Sequence, residues 1–414
     1  MSVSPELRTP THLALRASAL DRVDQARPQL EQLAQALHAN PEISFHEVRS
    51  VARIAELLRA EGLSVDVGTY DLATSFETTV GDDPFTIVIC AEYDALPGIG
   101  QACGHNIIAA GSIGAMLAVA PIAQELGVRV VLLGTPAEEH GTGKQIMLER
   151  GAWDDATVSM MVHPISVQDY WPDAVERSAV HRLTATFTGL AAHAASGPQY
   201  GKNAADAATL TLVALGLLRQ QVADGMRFNA IVREGGTATN IIPATAVVDF
   251  EVRGPTVESQ QELEQRVIAC FEGAAIATGC GFEYIEAELL YEQVEHDAGM
   301  VELFGDAMLE LGRTVSPRDA HVPGGSTDMG NVSRYLPSIH PTMCILGSVG
   351  PAHSITFAAA SGTAAAMDAA IDSAKAMALT IVDLAHDEDA RAAYLQLQSE
   401  RPAYAQRARA AAAQ

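Results

Sequence analysis

The sequence predicts an α/β protein whose main sheet is largely parallel and whose chain is interrupted by a smaller α+β module. Three observations carry this. Short apolar runs at 85–91, 128–134 and 156–163 each lead into a polar loop, with helical patterns between them. That is the rhythm of parallel strands joined by crossover helices. Near residue 180 this texture gives way to alternating strands and long helices, and near 295 the first pattern returns. At 414 residues the chain is long for one hydrophobic core, so two domains are expected. Their bounds are 1–180 with 296–414, and 181–295 inserted between.

Taken in order, residues 29–60 carry an amphipathic helical pattern that breaks at Asn40-Pro41 and resumes after Phe45. "FTIVICA" is a buried strand, Phe85 to Ala91. "IIAAGSIGAMLAVAPIAQELG" is an apolar helix with Gly127 as its stop. "VRVVLLG" is a second buried strand, ending near Gly134, and "ATVSMMVHP" a third, ending at His163. The insert reads as strand–helix–strand–helix–strand. Its strands are "HRLTATFT", Ala246 to Arg253 and "CGFEYIEAELL"; its helices are "GKNAADAATLTLVALGLLRQQ" and "TVESQQELEQRVIACFEGAAIATG". Beyond 295 a loop, a strand and another loop open a last long helix, and the Ala-rich segment 407–414 reads as frayed. Hinges are expected near 175–181 and 292–298, because an insert over a catalytic domain must close on substrate.

Composition narrows the classes. The chain is 48% hydrophobic and 19% charged, ordinary for a globular protein, with a formal charge of −25. Without a basic patch, nucleic acid and anionic membrane are poor partners. No 18-residue uninterrupted apolar run and no apolar leader are visible, so no membrane span or signal peptide is expected. The five cysteines, Cys90, Cys103, Cys270, Cys280 and Cys344, are scattered and odd in number. That pattern suits a reduced, cytoplasmic protein better than a disulfide framework.

The ionisable residues are placed informatively. Asp94, His105, Glu138, Glu139 and His163 all fall at or just beyond the C-terminal ends of expected strands, where open α/β sheets bind ligands. A metal-dependent hydrolase needs nitrogen, oxygen or sulfur donors on rigid elements, and a carboxylate outside the donor set to take a proton from water. Cys103 and His105 share a loop; Glu138 and Glu139 are adjacent, so one can bind metal while the other serves as base. His163 and His353 add two imidazoles. A Cys–His nucleophile is the competing reading, but such an enzyme needs an orienting Asn or Asp and has no use for paired glutamates.

"AEYDALPGIGQACGHN", "GTPAEEHGTGK", "MMVHP", "GGTATNIIP" and "AHSITF" occur in that order. Together they resemble the M20 metallopeptidase family of aminoacylases, carboxypeptidases and amidohydrolases. "EYDALPGIG" and "GGSTDMGNVS" are most similar to the p-aminobenzoyl-glutamate hydrolase and β-alanyl-dipeptidase branch. The resemblance implies a zinc-peptidase-like catalytic domain with an inserted lid and dimerisation domain, hence a homodimer. It implies two divalent cations, zinc with manganese or cobalt as alternatives, held by Cys103, His105, Glu139, His163 and His353. Glu138 would be the general base and Asp94 would orient a ligand. His193 would stabilise the oxyanion, and Asn240, Arg253, Gly325 and Ser326 would contact substrate. An arginine grips a carboxylate bidentately, so Arg253 points to a small amide with a free acid. The expected activity is hydrolysis of N-acyl, N-aroyl or N-aminoacyl amino acids by a metal-activated water. A dipeptidase acting on β-alanyl or other dipeptides is the alternative, and a non-catalytic binding relative a further one. Other roles stay open: His193 as a strand-end histidine bonded to backbone, Arg253 paired with an acid, Asn240 as a turn former. Many relatives carry Cys-Gly-His-Asp and Asp-Met-Asp where this chain has Asn106 and Glu92-Tyr93-Asp94.

Overall fold

The structure, a computed structural model, describes residues 9–406; the segment 407–414 expected to fray lies outside them. The chain forms two compact units, one of residues 1–176, 294–324 and 331–414, the other of 177–293 and 325–330. Residues 325–330 therefore group with the second unit, whereas the sequence reading places them in the first.

The first unit is built on a six-stranded mixed sheet. Its order is Asp66–Val67, Phe76–Val80, Arg129–Gly134, Thr86–Ala91, Val158–Met160 and Ser338–Ile339. The four strands from Arg129–Gly134 onward run parallel, and the first two are antiparallel additions at one edge. Thr86–Ala91 is buried along its whole length, which is why it reads as a continuous apolar run rather than an alternation. Each fully buried aliphatic side chain of such a strand stabilises by about 1.5–3 kcal/mol.

Helix His105–Val119 has every residue buried. It packs between the sheet and the helices Pro10–Ala39 and Ala364–His386. With its continuation to Leu126 it is long and apolar enough to cross a membrane by length and composition, yet 83% of that window is buried within the structure. Gly127, at φ 61°, ends it as expected.

Several elements differ from the sequence reading. The first helix begins at Pro10, capped by Thr9, and runs through Pro28 to Ala39. Pro28 removes one backbone donor, but a 30-residue helix packed on two others tolerates the gap. The run at 156–163 is not one strand: Val158–Met160 belongs to the main sheet, and His163–Ile165 pairs with Thr342–Cys344 in a separate ribbon. His163 opens a strand instead of closing one.

The second unit is a four-stranded antiparallel sheet, ordered Arg227–Glu234, Thr245–Gly254, Ala179–Thr188 and Gly281–Tyr291. Helices Ala204–Leu218 and Val257–Thr278 cover one face through Leu183, Phe187, Phe250 and Phe271. The edge strand Arg227–Glu234 is absent from the three-strand sequence reading. Its residues beyond Phe228 are mostly exposed, so no buried face marks its alternation.

Candidate metal and catalytic centre

In the first unit, the segments that follow parallel strands bring five donors together. Cys103 leaves the loop after Thr86–Ala91, and His105 opens the following helix. The glycine between them has a physical reason. Gly104 sits at φ 77°, and a Cβ there would lie 2.6 Å from Cγ of Pro164. Only glycine lets the chain turn there, so that thiol and imidazole face one point.

Cys103 Sγ lies 3.4 Å from His163 Nε2 and 3.6 Å from His353 Nε2. His353 Nε2 is 3.3 Å from Glu139 Oε2, and His105 Nε2 is 3.8 Å from Glu138 Oε2 and 3.9 Å from Glu139 Oε1. Three groups, Cys103–His105–His163, Cys103–Glu139–His353 and Glu92–His105–Glu138, have the compactness of metal-ligand sets.

The outer hydrogen bonds fix which ring nitrogens face inward. His163 Nδ1–H donates to the carbonyl of Pro164 at 2.7 Å, and His105 Nδ1 pairs with Asp94 Oδ1 at 2.9 Å. Both leave Nε2 pointing into the cluster, the arrangement ligating histidines require. Asp94 Oδ2 also accepts from Ser44 Oγ at 2.9 Å and from the backbone N–H of Glu139 at 3.0 Å. One carboxylate thus aligns His105 and Glu139 together. Ala137 (φ 62°) and His353 (φ 63°) lie in the left-handed region. Such strain costs about 1–3 kcal/mol per residue and concentrates at functional sites.

The electrostatics favour a cation. His105 Nε2 and Glu139 Oε1 are buried with no hydrogen-bond partner among the described residues, and they face each other across 3.9 Å. Bonds of about 2.0–2.2 Å to nitrogen and oxygen fit that gap. Burial opposes a charge on His105, but Asp94 and Glu92 outweigh it and raise its pKa well above the ordinary value. Burial pushes the Asp94 carboxyl up, and His105 with the surrounding donors more than reverses this, so its pKa is lowered. Burial, then Glu139, drives the Cys103 thiol well up. That is the reverse of what a cysteine nucleophile needs, whereas a coordinated thiol ionises outright. The donor set therefore fits divalent metal and disfavours the Cys–His alternative.

Three residues to which the sequence reading gave no role stand at or behind this cluster. Glu92, fully buried, lies 3.4 Å from His105 Nε2 and forms an ion pair with the equally buried Lys144. Glu47 accepts from the backbone of Ala137. A lysine in "GTGK" and acids in "PEISFHE" carry no spacing signal, because their partners lie 52 and 90 residues away in sequence.

The remaining candidates fall in the second unit. His193 and Ile241 are paired across a two-stranded ribbon, and the Asn240 carbonyl accepts from Ala194 N at 3.0 Å, so His193 and Asn240 are neighbours. His193 Nδ1 accepts from the backbone N–H groups of Ala195 and Ser196 at 3.1 and 3.2 Å. With Nδ1 accepting, Nε2 carries the ring proton of this exposed histidine. The histidine is bonded to backbone and at the same time offers a donor outward. Arg253 is engaged by Glu251 at 3.0 and 3.2 Å, and its third contact is Ser326 Oγ at 3.0 Å. Ser326 in turn donates to Ser178 O at 2.6 Å, and Gly325 O accepts from Ser178 N. Arg253, Gly325 and Ser326 are thus brought together; these three bonds leave two of the five guanidinium N–H donors for a further acceptor.

Comparison with known proteins shows which families and folds the chain is similar to. Residues 175–278 match a family model described as a peptidase dimerisation domain. An Xaa-Arg dipeptidase of Mus musculus is 35% identical over 388 residues, 89% of each chain. One of the p-aminobenzoyl-glutamate hydrolase chains of Escherichia coli is 28% identical, covering 62% of this chain and 57% of its own. Among solved structures, a dinuclear metal-binding M20 peptidase of Bacillus subtilis superposes with a TM-score of 0.65. It has 22% identity and covers 87% of this chain and 99% of its own, a likeness of fold.

Proposed function

We propose that this chain, which belongs to the M20 peptidase family of metal-dependent amide-bond hydrolases, is a dipeptidase. It cleaves an aminoacyl group from a C-terminal amino acid with a free carboxylate and prefers a basic residue in that leaving position. The observation that carries the chemistry is the convergence of Cys103, His105, Glu139, His163 and His353 beside a further carboxylate, Glu138. The substrate preference is supported by the identity to the Xaa-Arg dipeptidase across 89% of both chains. A net charge of −25 also draws cationic ligands at long range.

Those five residues would hold two divalent cations, zinc by donor chemistry, with manganese and cobalt also compatible. When bound, they supply Lewis acidity and lower the pKa of water. Glu138 takes the proton from the attacking water as the oxygen adds to the scissile carbonyl carbon. It later delivers that proton to the amine nitrogen as the C–N bond breaks. Asp94 keeps His105 in its ligating tautomer. His193 Nε2–H donates to the developing oxyanion; removal of such a donor costs about 100–1000-fold in rate. Asn240, beside His193, positions the substrate. Val213 and Leu217, one turn apart on helix Ala204–Leu218, are exposed, and this apolar stripe supports a homodimer through the second unit.

Hydrolysis of N-aroyl amino acids is the second reading, favoured by the likeness to the p-aminobenzoyl-glutamate hydrolase chain. A metal-replete panel of Xaa-Arg, Xaa-Lys, β-alanyl and N-aroylglutamate substrates decides between them. Turnover of the basic dipeptides is expected, with two metal ions per chain by elemental analysis. A Glu138→Gln variant that binds metal normally and retains wild-type turnover overturns the mechanism.

A further inference from the structure

We propose that Glu47 is a positioning residue for the general base: its buried carboxylate pins the backbone of Ala137 and so sets where the Glu138 side chain stands. The inference rests on the reading of Glu138 as the base.

Glu47 is fully buried and stands at the N-cap position of helix Val48–Ala60, yet its side chain makes no capping bond to that helix. Its carboxylate turns the other way. Oε1 accepts from the backbone N–H of Phe45 at 2.9 Å and of Ala137 at 3.0 Å, and Oε2 accepts from Thr74 Oγ1 at 2.7 Å. A buried carboxylate satisfied by three neutral donors, two of them backbone, is built to hold main chain in place.

The main chain it holds is unusual. Ala137 has φ 62°, and Phe45, bound by the same oxygen, has φ 63°. Left-handed backbone at non-glycine residues persists only where the surroundings over-determine it. The short segment around Glu47 does this at several points. The Phe45 ring lies where a Cβ on Gly141 (φ 119°) would come within 2.2 Å of Cε2. Ser44 Oγ donates to Asp94, whose same oxygen takes the backbone N–H of Glu139. Ala137, Glu139 and Gly141 are therefore each fixed, directly or through Asp94, by residues 44–47. Glu138 sits between two anchored peptides, and its carboxylate swings only about its own side-chain torsions. Losing one anchor frees the peptide before it, and an ångström of misplacement at a reacting group costs about 100-fold in rate.

The test compares Glu47→Ala, Glu47→Gln and Glu138→Gln by steady-state kinetics, elemental analysis and thermal melting. Glu47→Ala, folded and metal-loaded, is expected to lose about 30–100-fold in kcat with KM within threefold. Glu47→Gln is expected to stay within threefold of wild type, because one amide oxygen accepts both backbone N–H groups and the Thr74 hydroxyl turns to accept from the amide. A folded, metal-loaded Glu47→Ala with wild-type kcat overturns the proposal, as does a Glu47→Gln variant as impaired as Glu47→Ala. Should Glu47→Ala not fold, Glu47→Asp keeps the carboxylate but is one methylene too short to hold the Ala137 N–H. A tenfold or greater loss in kcat at unchanged KM supports the anchor, and unchanged kcat overturns it. Failure of the underlying reading shows separately, as wild-type turnover in Glu138→Gln.

Discussion

Replacing Asp94 by asparagine tests how one buried carboxylate organises the metal cluster. Asp94 is 1% exposed and accepts three hydrogen bonds, from His105 Nδ1, Ser44 Oγ and Glu139 N. An amide of the same shape has one oxygen and one NH2. Placed at Oδ2, the NH2 opposes the Glu139 N–H, which cannot reverse. Placed at Oδ1, it opposes His105 Nδ1–H, and the ring must change tautomer and turn a proton into the cluster. Either way one charge-assisted bond is lost, worth about 1.5–3 kcal/mol. The loss falls on a ligand in both placements, so metal affinity should drop about 10–100-fold, the usual effect of removing a ligand's orienting partner. Competition with a chromophoric chelator measures this directly on folded protein. An Asp94→Asn variant that binds metal within threefold of wild type would falsify the orienting role.

Further outcomes follow from other contacts. Gly104→Ala places a Cβ 2.6 Å from Pro164 at φ 77°; left-handed strain and overpacking together should cost roughly 2–5 kcal/mol, read from denaturant melts, with loss of bound metal. Burial, then Asp94, raises the Glu47 carboxyl from 4.5 to about 7. Its folded pKa lies above its unfolded one, so the folded state binds the extra proton between those values and stability falls as pH rises through that window. The decline attributable to Glu47 is about 3 kcal/mol at most, and Glu47→Gln should remove it from the pH profile of unfolding. Stripping metal with a chelator should abolish turnover and lower Tm, with both restored by added divalent cation. A ligand at 1000 times its Kd stabilises by about 4 kcal/mol, and an unchanged Tm on verified removal refutes metal binding to the folded state.

Much of this protein was legible in its sequence, because burial writes itself into hydrophobic periodicity. The strands Thr86–Ala91 and Arg129–Gly134 are buried on both faces and read as unbroken apolar runs. The strand Thr245–Gly254 alternates in burial and reads as alternation. Edge strand Arg227–Glu234, with little to bury, left no such trace. Neighbouring residues on one loop, such as Cys103 with His105 and Glu138 with Glu139, announce chemistry by adjacency alone. What sequence could not supply is direction and partnership across distance. It placed His163 at the end of a strand, whereas an interruption of the strand at 161–162 makes it the start of another. It left open whether Arg253 grips substrate or pairs with an acid, and only folding names Glu251 and Ser326 as its partners. It assigned Glu47 no role, because the amide that carboxylate binds is 90 residues away. Local pattern fixes which elements form, since propensity and burial act within a few residues. Hydrogen-bond partners, tautomers and the unpaired buried atoms that invite a cation come into being only when distant loops meet.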